Sequence, residues 1–157
     1  EKKLEILKDP HIGAFSVIML ALYGLIYVAA FSEITDITFL KIVAAGFFMA
    51  RCLSGISVVC FSSAKKDGML SYFADNAHKQ KVKWILIIQT VICAVFMLRE
   101  SVLCGALVCG TAMLVFTYYY WKTKNELSGI TGDTAGYFVV LCEGSMMVTV
   151  ALMNCLG

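Results

Sequence analysis

The sequence predicts an all-α, polytopic integral membrane protein with about five transmembrane helices and a cytosolic N-terminus. Three observations carry this. Hydrophobic residues make up 60% of the 157, charged residues only 15%, and the mean hydropathy is +0.81. A soluble domain is nearer ~50% apolar and ~25% charged, so too few charges remain to cover a globule and lipid must solvate much of the surface. The apolar residues gather into five runs of spanning length, and the basic residues fall in alternate connections between them.

A helix needs about 20 apolar residues to cross a bilayer. Ile12–Phe31 has no charge and is the clearest span, with Pro10 placed just ahead of it, where its ring suits a first helical turn. Ile37–Phe61 is long enough but carries Lys41 near one end and Arg51 inside. Trp84–Leu98 is short, roughly 15 residues, and must tilt little or borrow polar flanks. Arg99-Glu100 reads as a tight connection. Ser101–Trp121 ends in Tyr118, Tyr119, Tyr120 and Trp121, the composition of an interfacial aromatic belt. Ala135–Leu156 is the fifth span and holds one charge, Glu143. The whole chain, 1–157, reads as one membrane-embedded helical domain, without a repeat, a low-complexity tract or a signal-peptide pattern.

Basic residues concentrate on the cytosolic side of membrane proteins. Lys2, Lys3 and Lys8 precede the first span. Lys65, Lys66, Lys79, Lys81 and Lys83 lie between the second and third, and Lys122 and Lys124 between the fourth and fifth. Five spans put these segments on one side. The other side has Lys41 and Arg99, so the N-terminus is expected in the cytosol and the C-terminus outside.

The net charge of +2 comes without a basic block or a nucleic-acid motif, which argues against DNA or RNA as a partner. Seven cysteines lie in apolar runs without a C-x-x-C pair, and only His11 and His78 could accompany them. Zinc or redox chemistry would need clustered ligands. These cysteines read as small buried hydrophobes.

The expected cytosolic side also holds the short polar motifs: K-D-P-H-I-G at 8–13, A-K-K-D-G at 64–68, and S-G-I-T-G-D-T-A-G at 128–136. They combine carboxylates for Mg²⁺, lysines for phosphate charge and glycines that let backbone N–H groups approach an anion. Phosphoryl transfer at a membrane surface needs that inventory. Taken singly, each has a plainer reading: Asp-Gly as a turn, lysines as flanks of a span, and Asp133 or Thr134 as the N-cap of the fifth helix. Their convergence on one side favours a site.

Arg51 and Glu143 each lie about 15 Å from that side at 1.5 Å per residue. Intramembrane charges are costly and pair or line cavities, so the two are expected to face each other or share a polar cavity. Gly46, Ala50 and Ser54 form a small-residue stripe on span two, and Gly105, Ala106, Cys109 and Gly110 offer a similar surface on span four. Such stripes let helices approach closely, and they leave room for a homo-oligomer.

The S-G-I-T-G-D-T-A-G run resembles the G-G-x-T-G-D-x-x-G signature of the cobalamin synthase family, the adenosylcobinamide-GDP ribazoletransferases. The opening E-K-K-L-E-I-L-K-D-P-H-I-G-A-F is similar to that family's segment ending K/R-D-x-x-I-G-x-F/Y-G, and A-K-K-D-G-M-L to its A-[R/K]-x-[E/D]-G-[L/M]. Three matches in order span essentially the whole chain. Ser128 replaces the first glycine of the signature, and Val140 stands where many members have an acidic residue. The family's upstream D-G-x-x-D-x-x-D-G motif, held to bind the catalytic metal, would end just before Glu1. The resemblance therefore implies the C-terminal part of a longer enzyme.

The resemblance further implies a transferase of cobalamin biosynthesis in a bacterial or archaeal cell membrane. It would join α-ribazole or its 5′-phosphate to adenosylcobinamide-GDP, release GMP and require Mg²⁺. Carried over by position, Asp133 and Asp9 would be catalytic and metal-binding. Lys8, Lys65, Lys66, Asp67, Gly129, Thr131, Gly132 and Gly136 would bind substrate or phosphate, and Arg51 with Glu143 would shape a cavity beneath. A small transporter and a structural membrane subunit are the alternatives. A transporter would place its polar residues near the midplane, whereas most of these lie at one rim.

Overall fold

The computed structural model describes residues 13–61, 79–126 and 129–156. Five helices fill these segments: α1 (Ala14–Glu33), α2 (Ile37–Cys60), α3 (Lys79–Glu100), α4 (Val102–Glu126) and α5 (Gly132–Leu156). All five are long and apolar enough to cross a membrane. The expected count of spans holds, and the bounds shift for local reasons.

α2 begins where Asp36 accepts a hydrogen bond from the Thr38 N–H at 2.8 Å, an N-cap that satisfies one orphan donor. The third span solves its shortness by borrowing. α3 runs from Lys79 to Glu100, so the helix takes in polar residues at both ends of the Trp84–Leu98 stretch. Arg99 and Glu100 are therefore helical, and the connection to α4 is Ser101 alone. The Ser101 hydroxyl accepts from the Cys104 N–H at 3.4 Å. Gly105 makes the reversal sterically feasible, because a Cβ there would lie 2.6 Å from the Met97 carbonyl oxygen.

α2 and α5 form the centre of the bundle. α3 packs on α2 and α4, α4 on α5, and α1 chiefly on α5. The small-residue stripe of α2 faces inward: Ala50 is fully buried, and Gly46 admits the Met146 side chain of α5. Gly55 lets Leu86 of α3 approach closely. On α4 only part of the proposed surface is used, since Gly105 touches α3 while Gly110 faces open space. The core joins Ile42, Leu53, Met97, Val108, Phe138 and Met146 from four helices. Cys52, Cys93, Cys104 and Cys142 are buried among them as free thiols, while Cys60 and Cys155 are exposed.

Three contacts fix which helix ends lie together. Lys41 at the start of α2 pairs with Glu100 at the end of α3 at 3.2 Å. Asn154 near the end of α5 donates to the Glu33 carbonyl at the end of α1 at 2.7 Å. At the opposite end, Phe61 after α2 meets Tyr119 and Tyr120 of α4. The helices therefore alternate in direction. The starts of α3 and α5 share one end of the bundle with the ends of α2 and α4.

A terminus and an ion pair: the candidate functional site

That shared end carries the T-G-D motif. Thr131 and Thr134 form a reciprocal cap on α5. The Thr131 hydroxyl accepts from the Thr134 N–H at 3.3 Å, and the Thr134 hydroxyl accepts from the Thr131 N–H at 2.9 Å. The first helical bond follows, Ala135 N–H to the Thr131 carbonyl at 3.0 Å. The N-cap is thus Thr131, which corrects the plainer sequence reading of Asp133 or Thr134. A β-hydroxyl three residues on completes the cap from buried positions, and the carboxylate is not needed.

Asp133 is left exposed in the first turn, and nothing among the described residues pairs with it. The negative carboxylate is favoured there by the helix dipole. Gly132, Asp133 and Gly136 share the outward face of the first two turns, and a Cβ on either glycine would meet open space. The backbone N–H groups at such a terminus have no helical partners and suit an anion. Gly129 approaches the turn with φ 149°, a conformation glycine favours, and its N–H reaches back to the Thr123 carbonyl at 3.2 Å.

Beneath this end, Tyr119 is 1% exposed, and its hydroxyl has no hydrogen-bond partner among the described residues. It lies near the hydroxyls of buried Ser57 and Thr134 without bonding geometry to either. Its ring packs on Phe138 at 5.0 Å. The sequence grouped Tyr119 with the interfacial belt. The helical period turns it inward on the face of Ala112 and Thr123, while Tyr118, Tyr120 and Trp121 stay exposed.

Arg51 and Glu143 meet, the Arg51 Nε donating to Glu143 Oε1 at 3.2 Å. Arg51 lies nine residues before the end of α2 and Glu143 eleven after the start of α5, about 14 and 16 Å deep. The Arg51 side chain is 69% exposed and that of Glu143 15%. Tyr23 and Tyr27 of α1 border Glu143. The Tyr23 hydroxyl donates to the Val140 carbonyl at 2.9 Å, and its ring lies on Gly144, where a Cβ would come within 2.6 Å. The sequence did not single out this α1–α5 junction; a glycine one residue beyond an intramembrane acid was its only trace.

Lys8, Asp9, Lys65, Lys66 and Asp67 lie outside the described residues. Gly129, Thr131, Gly132, Asp133 and Gly136 are brought together at one helix terminus, while Arg51 and Glu143 form a separate pair deeper in the bundle. Among the described residues no three potential metal ligands cluster. Asp133 stands there as a single exposed carboxylate.

Comparison with known proteins puts a family beside this geometry. The family model described as Cobalamin-5-phosphate synthase matches residues 1–151. The chain is 41% identical over 143 residues to the adenosylcobinamide-GDP ribazoletransferase of Lachnoclostridium phytofermentans, covering 91% of this chain and 54% of that protein. For the enzyme of that name from Clostridium perfringens strain SM101 the figures are 30% over 146 residues, 91% and 57%. For that of Pseudomonas aeruginosa they are 25% over 152 residues, 97% and 60%. The chain spans little more than half the length of these curated relatives. No solved structure matches it.

Proposed function

The chain belongs to the cobalamin-5-phosphate synthase family, and on that premise we propose that it supplies the C-terminal, membrane-embedded portion of an adenosylcobinamide-GDP ribazoletransferase. Asp133 carries this reading. It is an exposed carboxylate, free of capping duty, in the first turn of α5.

A ribazole hydroxyl oxygen would form a bond to the phosphorus on the cobinamide side of the pyrophosphate. The P–O bond to GMP breaks, and the hydroxyl proton passes to a carboxylate base. The α5 N-terminus, with Gly129, Gly132 and Gly136 leaving its backbone open, would hold the phosphates. Asp133 and Asp9 would hold Mg²⁺, which offsets the charge developing on phosphate oxygens. Lys8, Lys65, Lys66 and Asp67 would complete the phosphate contacts. The arrangement needs no further oxidant or reductant, since a phosphoester replaces a phosphoanhydride.

The concentration of lysines at this end supports a cytosolic site, in a bacterial inner membrane, reached by water-soluble ribazole and by the amphipathic corrinoid. In the natural full-length protein, Asp133→Asn should lower GMP release from adenosylcobinamide-GDP by roughly 10²-fold or more, as loss of a charge-stabilising group does, with membrane insertion unchanged. Turnover at the original rate would remove Asp133 from the site.

A further inference from the structure

Next to the T-G-D turn lies a concavity of about 420 Å³, lined by Cys60, Phe61, Tyr120, Thr123, Lys124 and the Gly129-Ile130 backbone segment. Its residues come from the end of α2, the end of α4 and the approach to α5. Ile130 and Thr123 are buried and form the floor. Phe61 and Tyr120 form an aromatic wall, with ring centroids 4.8 Å apart and planes at 56°. Lys124 stands exposed at the rim, its ammonium 5.6 Å from the Tyr120 ring centroid.

An interfacial belt explains rings that project into lipid headgroups, as Trp121 does. It does not explain two rings in mutual contact beside a concavity with a cationic lip, above a buried Thr123 whose hydroxyl is already bonded to the Tyr119 and Tyr120 carbonyls. The volume falls in the range that encloses a small ligand. Aromatic walls take flat heteroaromatic rings by stacking, and a lysine beside them meets phosphate as a point charge. Ile130 is three residues from Asp133, so a ligand seated here extends naturally toward the α5 terminus.

We infer that the Phe61–Tyr120–Lys124 cleft is the base subsite of this centre: it receives the flat heteroaromatic base of a nucleoside substrate, with Lys124 toward the attached phosphate. This rests on the transferase reading above and adds the place of the base to it. The base could come from the ribazole or from the guanosine end of the second substrate; both are flat nitrogen heterocycles on a ribose.

The test measures equilibrium binding of two probes, α-ribazole 5′-phosphate and GMP, to the purified natural full-length protein in nanodiscs. Tyr120→Leu should weaken one probe by about tenfold, the scale of one lost base–aromatic stack, and leave the other within twofold. The probe that weakens identifies the source of the base. Tyr118→Leu, two residues away and outside the cleft, should change neither. Lys124→Gln, an exposed substitution that spares the fold, should weaken the same phosphorylated probe but not its unphosphorylated nucleoside. Unchanged affinities in both Tyr120→Leu and Lys124→Gln, or equal losses in Tyr118→Leu, would overturn the subsite while leaving the transferase reading intact. Wild-type protein that binds neither probe and releases no GMP would sink both.

Discussion

Replacing Arg51 and Glu143 singly and together separates a working ion pair from two charges that merely lie close. At 3.2 Å and an effective dielectric of ~20, unit charges attract by roughly 5 kcal/mol. Exposure reduces the net value. Fully exposed pairs give about 0–1 kcal/mol, and breaking a buried one costs about 3–5 kcal/mol. With Arg51 69% and Glu143 15% exposed, this pair falls between, at about 1–3 kcal/mol of coupling. Either single substitution strands a charge at membrane depth: Arg51→Met leaves Glu143 among Tyr23, Tyr27 and the helix backbones, and Glu143→Met leaves Arg51 unpaired on its flank, so both should cost stability. The double variant should be more stable than the sum of the singles predicts. Reversible unfolding in bicelles, followed by near-ultraviolet circular dichroism, gives the cycle. Additivity within about 0.5 kcal/mol would show that the pair contributes no coupling and would refute the argument.

Three further outcomes follow from the packing. Gly105→Ala should destabilise the protein by more than about 2 kcal/mol in the same unfolding assay, because the new methyl meets the Met97 backbone, which cannot swing aside as a side chain can. Tyr119→Phe should raise stability by about 1 kcal/mol, since it removes a buried hydroxyl with no hydrogen-bond partner among the described residues; a loss of stability would mean that the hydroxyl is satisfied in solution. Thr131→Val should cost about 1 kcal/mol by removing half of the reciprocal cap, and faster amide hydrogen exchange at Thr134 and Ala135 would show where.

The spans were legible because lipid imposes a long apolar run, and the intramembrane pairing because an unpaired charge at that depth is too costly to leave alone. Helix ends were less legible. Lys79, Lys81 and Lys83 look like loop residues by polarity, yet they extend α3, since a helix that reaches the interface can present long side chains to water. The cap was misassigned to Asp133 or Thr134 because Thr131, Asp133 and Thr134 are all good cap formers within four residues, and only the reciprocal bonds between Thr131 and Thr134 decide among them. The aromatic cleft was invisible. Phe61 and Tyr120 are 59 positions apart, and an aromatic cluster at a span end reads equally as a lipid anchor. The T-G-D motif was legible as a group, while its lysine and carboxylate companions at 8, 9 and 65–67 lie outside the described residues.

The reversal at Ser101 bears on biogenesis. α3 has an apolar centre with polar residues at both ends. A single residue links it to α4, and the Gly105–Met97 contact brings the two backbones together within the first turn. Neither helix can settle across the bilayer while the other waits in water, because no tether exists to span the difference. The two are therefore expected to enter together as a helical hairpin, each bringing an apolar window of comparable hydropathy.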